Sequence, residues 1–155
     1  MRNLLLLLTL ILVATGTYAT LSFNSYNSRK SQDLRDGYYT AECSNFFHGW
    51  KEYLTIYVNN GKIATVEYNA KNASGFIKSW DMNYMRVMNK TDGNYPNKYT
   101  RVYAASLLNR QNADEVDAMS GATESHASFQ KLANAVIRQA RNGDKTVAFV
   151  EVSYN

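Results

Sequence analysis

A chain of 155 residues suits one domain rather than two, and with 45% hydrophobic residues it can bury a core. Its formal charge of +4 is mildly basic, and no Lys/Arg run tracks a phosphate backbone, so nucleic acid is not an expected partner. The single cysteine, Cys43, excludes an internal disulfide and any paired-cysteine metal or redox motif.

Residues 1–22 read as a targeting segment. Arg2 supplies the positive start, residues 4–14 are apolar apart from Thr9, and Thr17-Tyr18-Ala19 has the small-x-small form of a cleavage site. The strongly apolar stretch is short of the roughly twenty residues that span a bilayer. Extended through Leu21 it approaches that length, so a cleaved signal peptide and an uncleaved membrane anchor both stand. Either places the domain outside the cytoplasm, secreted or membrane-anchored, with Arg2 on the cytoplasmic side. Residues 23–35 are polar and aperiodic, a linker before a folded domain at 36–155.

Residues 36–42 open that domain as a strand after the Asp36-Gly37 turn, and Phe46-Phe47-His48-Gly49-Trp50 follows as an aromatic loop. Cys43 lies outside any lipid-attachment motif and reads as a half-buried structural thiol. Residues 52–58 and 63–68 are β-rich runs on either side of Asn60-Gly61, a strong hairpin signal. After a polar turn at 69–75, Trp80, Tyr84, Val87 and Met88 recur at helical spacing over 77–88, up to a stop at Thr91-Asp92-Gly93. Pro96 falls in the loop beyond. Val102, Tyr103, Leu107 and Leu108 mark a second helix over 99–110.

Phe129, Leu132, Ala133, Val136, Ile137 and Ala140 form the apolar face of a third helix over about 125–141. Thr123 and Ser125 stand where its N-cap belongs, and Asn142-Gly143-Asp144 is its stop. Residues 146–153 make a closing strand. The order β-β-β-α-α-α-β predicts an α+β fold, a largely antiparallel sheet with helices packed on one side.

The stretch before the third helix carries the chemistry. Ser120-Gly121-Ala122 is a small-residue turn that lets another group approach the backbone, and a helix start favours negative charge. The same residues also suit a well-capped helix start that binds nothing. Twelve tyrosines, six phenylalanines and two tryptophans can fill a core or wall a planar ring. His48 and Trp50, with Trp80, are candidates for such a wall, although each singly reads as a core or strand aromatic. His126 reads as a solvated histidine of the first helical turn, with a role beside a ring as the alternative. Two distant histidines and one cysteine offer no metal-ligand spacing. A hydrolase built on Ser120 or Ser125, His126 and Asp117 lacks the Gly-x-Ser-x-Gly elbow.

The letters Asp117-Ala118-Met119-Ser120-Gly121-Ala122-Thr123 resemble the flavinylation motif Asp-x-x-Ser-Gly-Ala-Thr of FMN-binding domains. That family includes subunits of the sodium-translocating NADH:quinone reductase and of Rnf complexes, and small extracytoplasmic flavoproteins. The opening Asp36-Gly37-Tyr38-Tyr39 and the hairpin closed by Gly61-Lys62-Ile63 resemble the start of the same domain, so the likeness spans residues 36–141. It implies FMN as cofactor, attached by a flavin transferase through a phosphoester to Thr123. Asp117, Ser120, Gly121 and Ala122 complete the signature, and Ser125 fills a position often held by Thr or Ser. The implied role is an electron carrier at the outer membrane face, between a membrane quinone-linked donor and an extracytoplasmic acceptor. The alternatives are a non-covalent FMN-binding accessory or sensing module, and a small flavin-dependent extracellular reductase.

Overall fold

The computed structural model describes residues 33–153. Along them run β1 (Gly37–Cys43), β2 (Lys51–Asn59), β3 (Lys62–Lys71), a 3-10 turn (Lys78–Trp80), α1 (Met82–Asp92), α2 (Pro96–Arg110), a second 3-10 turn (Ala113–Glu115), α3 (Thr123–Asn142) and β4 (Ala148–Val150). The order of strands and helices is the one expected, and the class is α+β. The targeting segment, and the linker through residue 32, lie outside the described residues.

The sheet has the order β3-β2-β1-β4, with β2 antiparallel to both β1 and β3 and with β4 parallel to β1. Asn60 (φ 53°) and Gly61 (φ 72°) make the tight turn between β2 and β3. Positive φ at both central residues is the conformation that matches the twist of a hairpin, and Asn-Gly adopts it at little cost. Alternation then sorts the faces. Tyr39, Ala41 and Cys43 of β1 and Leu54, Ile56 and Val58 of β2 are buried. On the other face Tyr38 stacks on Tyr57 at 4.6 Å, the hydroxyls of Thr40 and Thr55 meet at 2.9 Å, and Lys71 pairs with Glu42 at 2.6 Å.

Helices α2 and α3 share one core with the buried face. All six apolar residues read from the sequence of α3 are buried, and each large one contributes roughly 1.5–3 kcal/mol by leaving water. In α2 only Tyr103 and Leu107 of the four expected residues are buried. Tyr99 and Thr100 join them, while Val102 and Leu108 are exposed. Leu34 packs against the core, and Arg35 N–H donates to the Ala140 carbonyl at 2.9 Å. Cys43 is buried completely rather than by half.

Several boundaries differ from expectation for local reasons. The run over 77–88 is a 3-10 turn and then a helix, because Asp81 is extended and caps α1, accepting from Asn83 N (3.1 Å) and Tyr84 N (2.9 Å). Pro96 is the first residue of α2 rather than a loop residue. Its missing N–H costs nothing in the first turn, and its fixed φ suits a helix start. The closing strand pairs only over Ala148–Val150, and Phe149 remains exposed. No helix of the described residues is long and apolar enough to cross a membrane.

Candidate functional site

A cavity of about 320 Å³ opens where the aromatic loop, the start of β2, the first 3-10 turn, α1 and the N-terminus of α3 converge. The loop is a small hairpin of its own. Phe47 and Trp50 exchange backbone hydrogen bonds of 2.7 and 2.9 Å around His48 (φ 49°) and Gly49 (φ 82°). That turn sets the Phe47, His48 and Trp50 side chains along one wall of the cavity, and Trp50 meets Tyr84 of α1 edge-on at 5.9 Å. Met88, one helical turn beyond Tyr84, adds to the α1 wall.

Gly121 through Ser125 also line the cavity. Gly121 has φ 72°, and a Cβ there would stand 2.3 Å from the carbonyl oxygen of Asp92 at the end of α1. Only glycine meets both conditions. Buried side chains hold the turn. Asn94 Nδ2 donates to the Ser120 carbonyl (2.9 Å), and the Tyr103 hydroxyl donates to the Ala122 carbonyl (3.1 Å) while accepting from Met119 N (3.0 Å). His126 is half-buried rather than fully solvated, and it is not on the cavity wall. Its Nε2 donates to the Val116 carbonyl at 2.7 Å and its ring leans on Tyr103 at 5.5 Å.

The helix start differs from the expected cap. Ala122 occupies the N-cap position, Thr123 is the first helical residue, and no side chain caps the helix. The first intrahelical bond is His126 N to Ala122 O at 2.9 Å, so the amides of Thr123, Glu124 and Ser125 have no partner inside the helix. A clustered set of open N–H groups at the positive end of a twenty-residue helix is an anion site. The Thr123 side chain is exposed there.

Of the ionisable groups that line the cavity, Glu52 and Lys78 are shifted most directly by burial. Glu52 continues the inward series of Leu54, Ile56 and Val58, is 7% exposed, and keeps Oε2 without a hydrogen-bond partner among the described residues. Burial pushes its pKa up, against the opposing pull of the Ser128 and Ser125 hydroxyls and the Lys78 charge. Desolvation drives Lys78 the other way, below the usual lysine value, with Glu52 and Glu124 partly restoring it. Its Nζ lies 4.9 Å from the centre of the Tyr84 ring.

Of the residues read from the sequence, Thr123, Gly121, Ala122 and Ser125 line the cavity. Ser120 does not line it, but is tied through its carbonyl to Asn94. Asp117 is exposed, makes no hydrogen bond among the described residues, and so does not hold the turn. His48 and Trp50 reach the cavity, whereas Trp80 is 66% exposed and packs against Phe76. Sequence reasoning missed Glu52, Lys78 and Tyr84. Glu52 left a legible trace, a carboxylate at an inward position of a strand whose other inward residues are all apolar.

The residues present fit a planar aromatic cofactor with a phosphate tail. Aromatic side chains and the open amides of a helix start line one cavity, and the unmet buried oxygen belongs to a residue of the same lining. Residues 49–138 match the FMN-binding domain family. The chain is 38% identical over 113 residues to a 15 kDa lipoprotein of Treponema pallidum, covering 72% of this chain and 80% of that one. A crystal structure of a Clostridium perfringens protein superposes with a TM-score of 0.74 at 33% identity, covering 77% of this chain and 99% of that one. The chain belongs to the FMN-binding domain family, and its cofactor is FMN.

Proposed function

We propose that this FMN-binding domain is an extracytoplasmic electron carrier whose FMN is bonded through phosphate to Thr123. The observation that carries this reading is the placement of Thr123. It is the first residue of an uncapped helix, its side chain is exposed, and it lies on the wall of a cavity of cofactor size. In the attachment step a flavin transferase supplies FAD. The Thr123 oxygen forms a bond to the FMN phosphorus, the pyrophosphate bond to the adenylate half breaks, AMP departs, and the hydroxyl proton passes to the transferase or solvent.

Bound flavin supplies the redox chemistry, and the protein supplies retention and surroundings. The amides of α3 would hold the phosphodiester, a stabilisation of about 0.3–1 kcal/mol from the dipole alone. Phe47, Trp50 and Tyr84 would cover the ring. A tether suits a site outside the cell, where a cofactor that dissociates is diluted beyond recovery.

That the Treponema relative is a lipoprotein supports a place at the membrane surface. In this chain Cys43 is buried in β1, so any anchorage runs through the segment before Leu34 instead of through a lipidated Cys43. The donor and acceptor are a quinone-linked membrane reductant and an extracytoplasmic oxidant.

Intact mass after co-production with a flavin transferase tests the attachment. The expected result is one added FMN phosphoester, mapped to the peptide holding Thr123 and absent in Thr123→Ala. An unmodified mass would remove the covalent claim and leave a non-covalent FMN module, recognisable by yellow colour released on denaturation.

A further inference from the structure

Glu52 stands where β2 enters the core, at a position where its strand otherwise places only apolar side chains inward. The charge that acts on it is Lys78 from the 3-10 turn, yet among the described residues the two form no ion pair within 4 Å; the ion pairs there belong to Glu42. The other groups facing the carboxyl are Tyr68 of β3, Tyr84 of α1, Tyr99 and Tyr103 of α2, and Ser125 and Ser128 of α3. They surround it and still leave Oε2 unmet. A buried acceptor without a partner is costly and rare in folded proteins, so it points to a group the chain itself does not supply. Because Glu52 and Thr123 line the same cavity, that group shares the space with whatever Thr123 carries.

We propose that Glu52 is a cofactor-binding residue that pairs with the imide edge of the isoalloxazine ring. This rests on the FMN reading and adds the orientation of the ring. Phosphate held at the α3 terminus and imide held at Glu52 fix two points of one ligand. The chemistry matches on both sides. An imide presents an N–H donor, and the unmet Oε2 is an acceptor, so the imide N–H donates to it.

The test uses the full chain matured with a flavin transferase, as wild type, Glu52→Leu and Glu52→Gln. Intact mass establishes loading, far-ultraviolet circular dichroism establishes folding, and iodide quenching with fluorescence anisotropy reports whether the ring is seated. Glu52→Leu is expected to keep the attached mass while the ratio of seated to free ring falls about tenfold, the worth of a lost hydrogen-bonded contact. Glu52→Gln keeps a C=O beside an N–H, so its ring stays seated and its infrared carbonyl bands shift. A folded, loaded Glu52→Leu protein whose ring is shielded as in wild type overturns the proposal. Should that variant not fold or load, unshifted carbonyl bands in Glu52→Gln overturn it and shifted bands support it. If the wild type takes FMN without a covalent bond, the same variants are compared by FMN dissociation constant, with the same tenfold expectation for Glu52→Leu. A wild type that takes up no flavin at all ends the FMN reading and this inference together, whereas failure at Glu52 alone leaves the FMN reading standing.

Discussion

The two ends of α3 are built in opposite ways. At the C-terminus Gly143 adopts φ 71° and donates to the Gln139 carbonyl, and Asp144 N donates to the same carbonyl at 3.0 Å. The Gln139 amide and the Asp144 carboxylate then secure Thr146. At the N-terminus Ala122 offers no cap, and three amides and an exposed threonine are left beside a cavity. Both ends carry a glycine with left-handed backbone, but Gly143 completes a helix whereas Gly121 lets α1 approach an uncompleted one. Among the described buried side-chain atoms of the C-terminal end, only Gln139 Oε1 is left without a partner. The C-terminal end is closed by its own backbone, whereas the N-terminal end leaves amides without a partner inside the helix.

The largest effect should come from Gly121→Ala. Left-handed backbone costs about 1 kcal/mol without glycine, and the contact with the Asp92 carbonyl adds overpacking of about 1–3 kcal/mol. A loss of at least 2 kcal/mol in urea unfolding, together with loss of flavin, is expected; a loss under 1 kcal/mol would mean that the close approach is not required. Gly143→Ala should cost about 1 kcal/mol, because its strain is the same but the Arg35 side chain it meets can move aside. Its flavin loading should equal wild type. Equal stability losses for the two glycines would erase the contrast between the helix ends.

Glu52→Gln should change how the flavin-free protein responds to pH. The folded pKa of Glu52 is raised by burial, so the folded state holds a proton that the unfolded state has released. Its stabilising contribution is complete below the unfolded carboxylate value of about 4.5 and is lost as pH rises through the folded value. Lys78, with a lowered pKa, acts oppositely and only toward the alkaline end. Thermal midpoints from pH 4 to 8 should fall more steeply with pH in wild type than in Glu52→Gln; parallel curves would place Glu52 in water. The smallest change in stability belongs to Thr123→Ala, within about 0.5 kcal/mol of wild type because the side chain caps nothing. The same substitution should abolish attachment, so a clear loss of stability would make Thr123 structural.

Elements whose cause is local were legible in the sequence. Asn60-Gly61 needs only its own backbone to turn, and the inward alternation of β2 and the six-residue stripe of α3 need only a single side to bury. The misread boundaries were also local, but depended on one atom pair. Asp81 as a cap and Pro96 as a helix start follow capping chemistry that the apolar period of their neighbours masks. Half of the α2 face was misjudged because Tyr99 and Thr100 bury hydroxyl-bearing side chains that a hydrophobicity pattern undervalues, and the core provides for the Thr100 hydroxyl at the Pro96 carbonyl.

The candidate site divides in the same way. Its motif half, Gly121 through Ser125, is contiguous, so composition and spacing reveal it. Its other half comes from the aromatic loop, β2, the 3-10 turn and α1, and is separated from the motif by 28 residues or more, the number between Asp92 and Gly121. By itself the sequence determined the class, the order of elements, the cofactor family and the threonine at the helix start, because each is written in neighbouring residues. Tertiary structure alone decided that Glu52 and Lys78 face that threonine's cavity, that His126 turns away to Val116, and that the helix start remains uncapped. Those outcomes depend on which distant backbone closes over each side chain, and no local pattern encodes that.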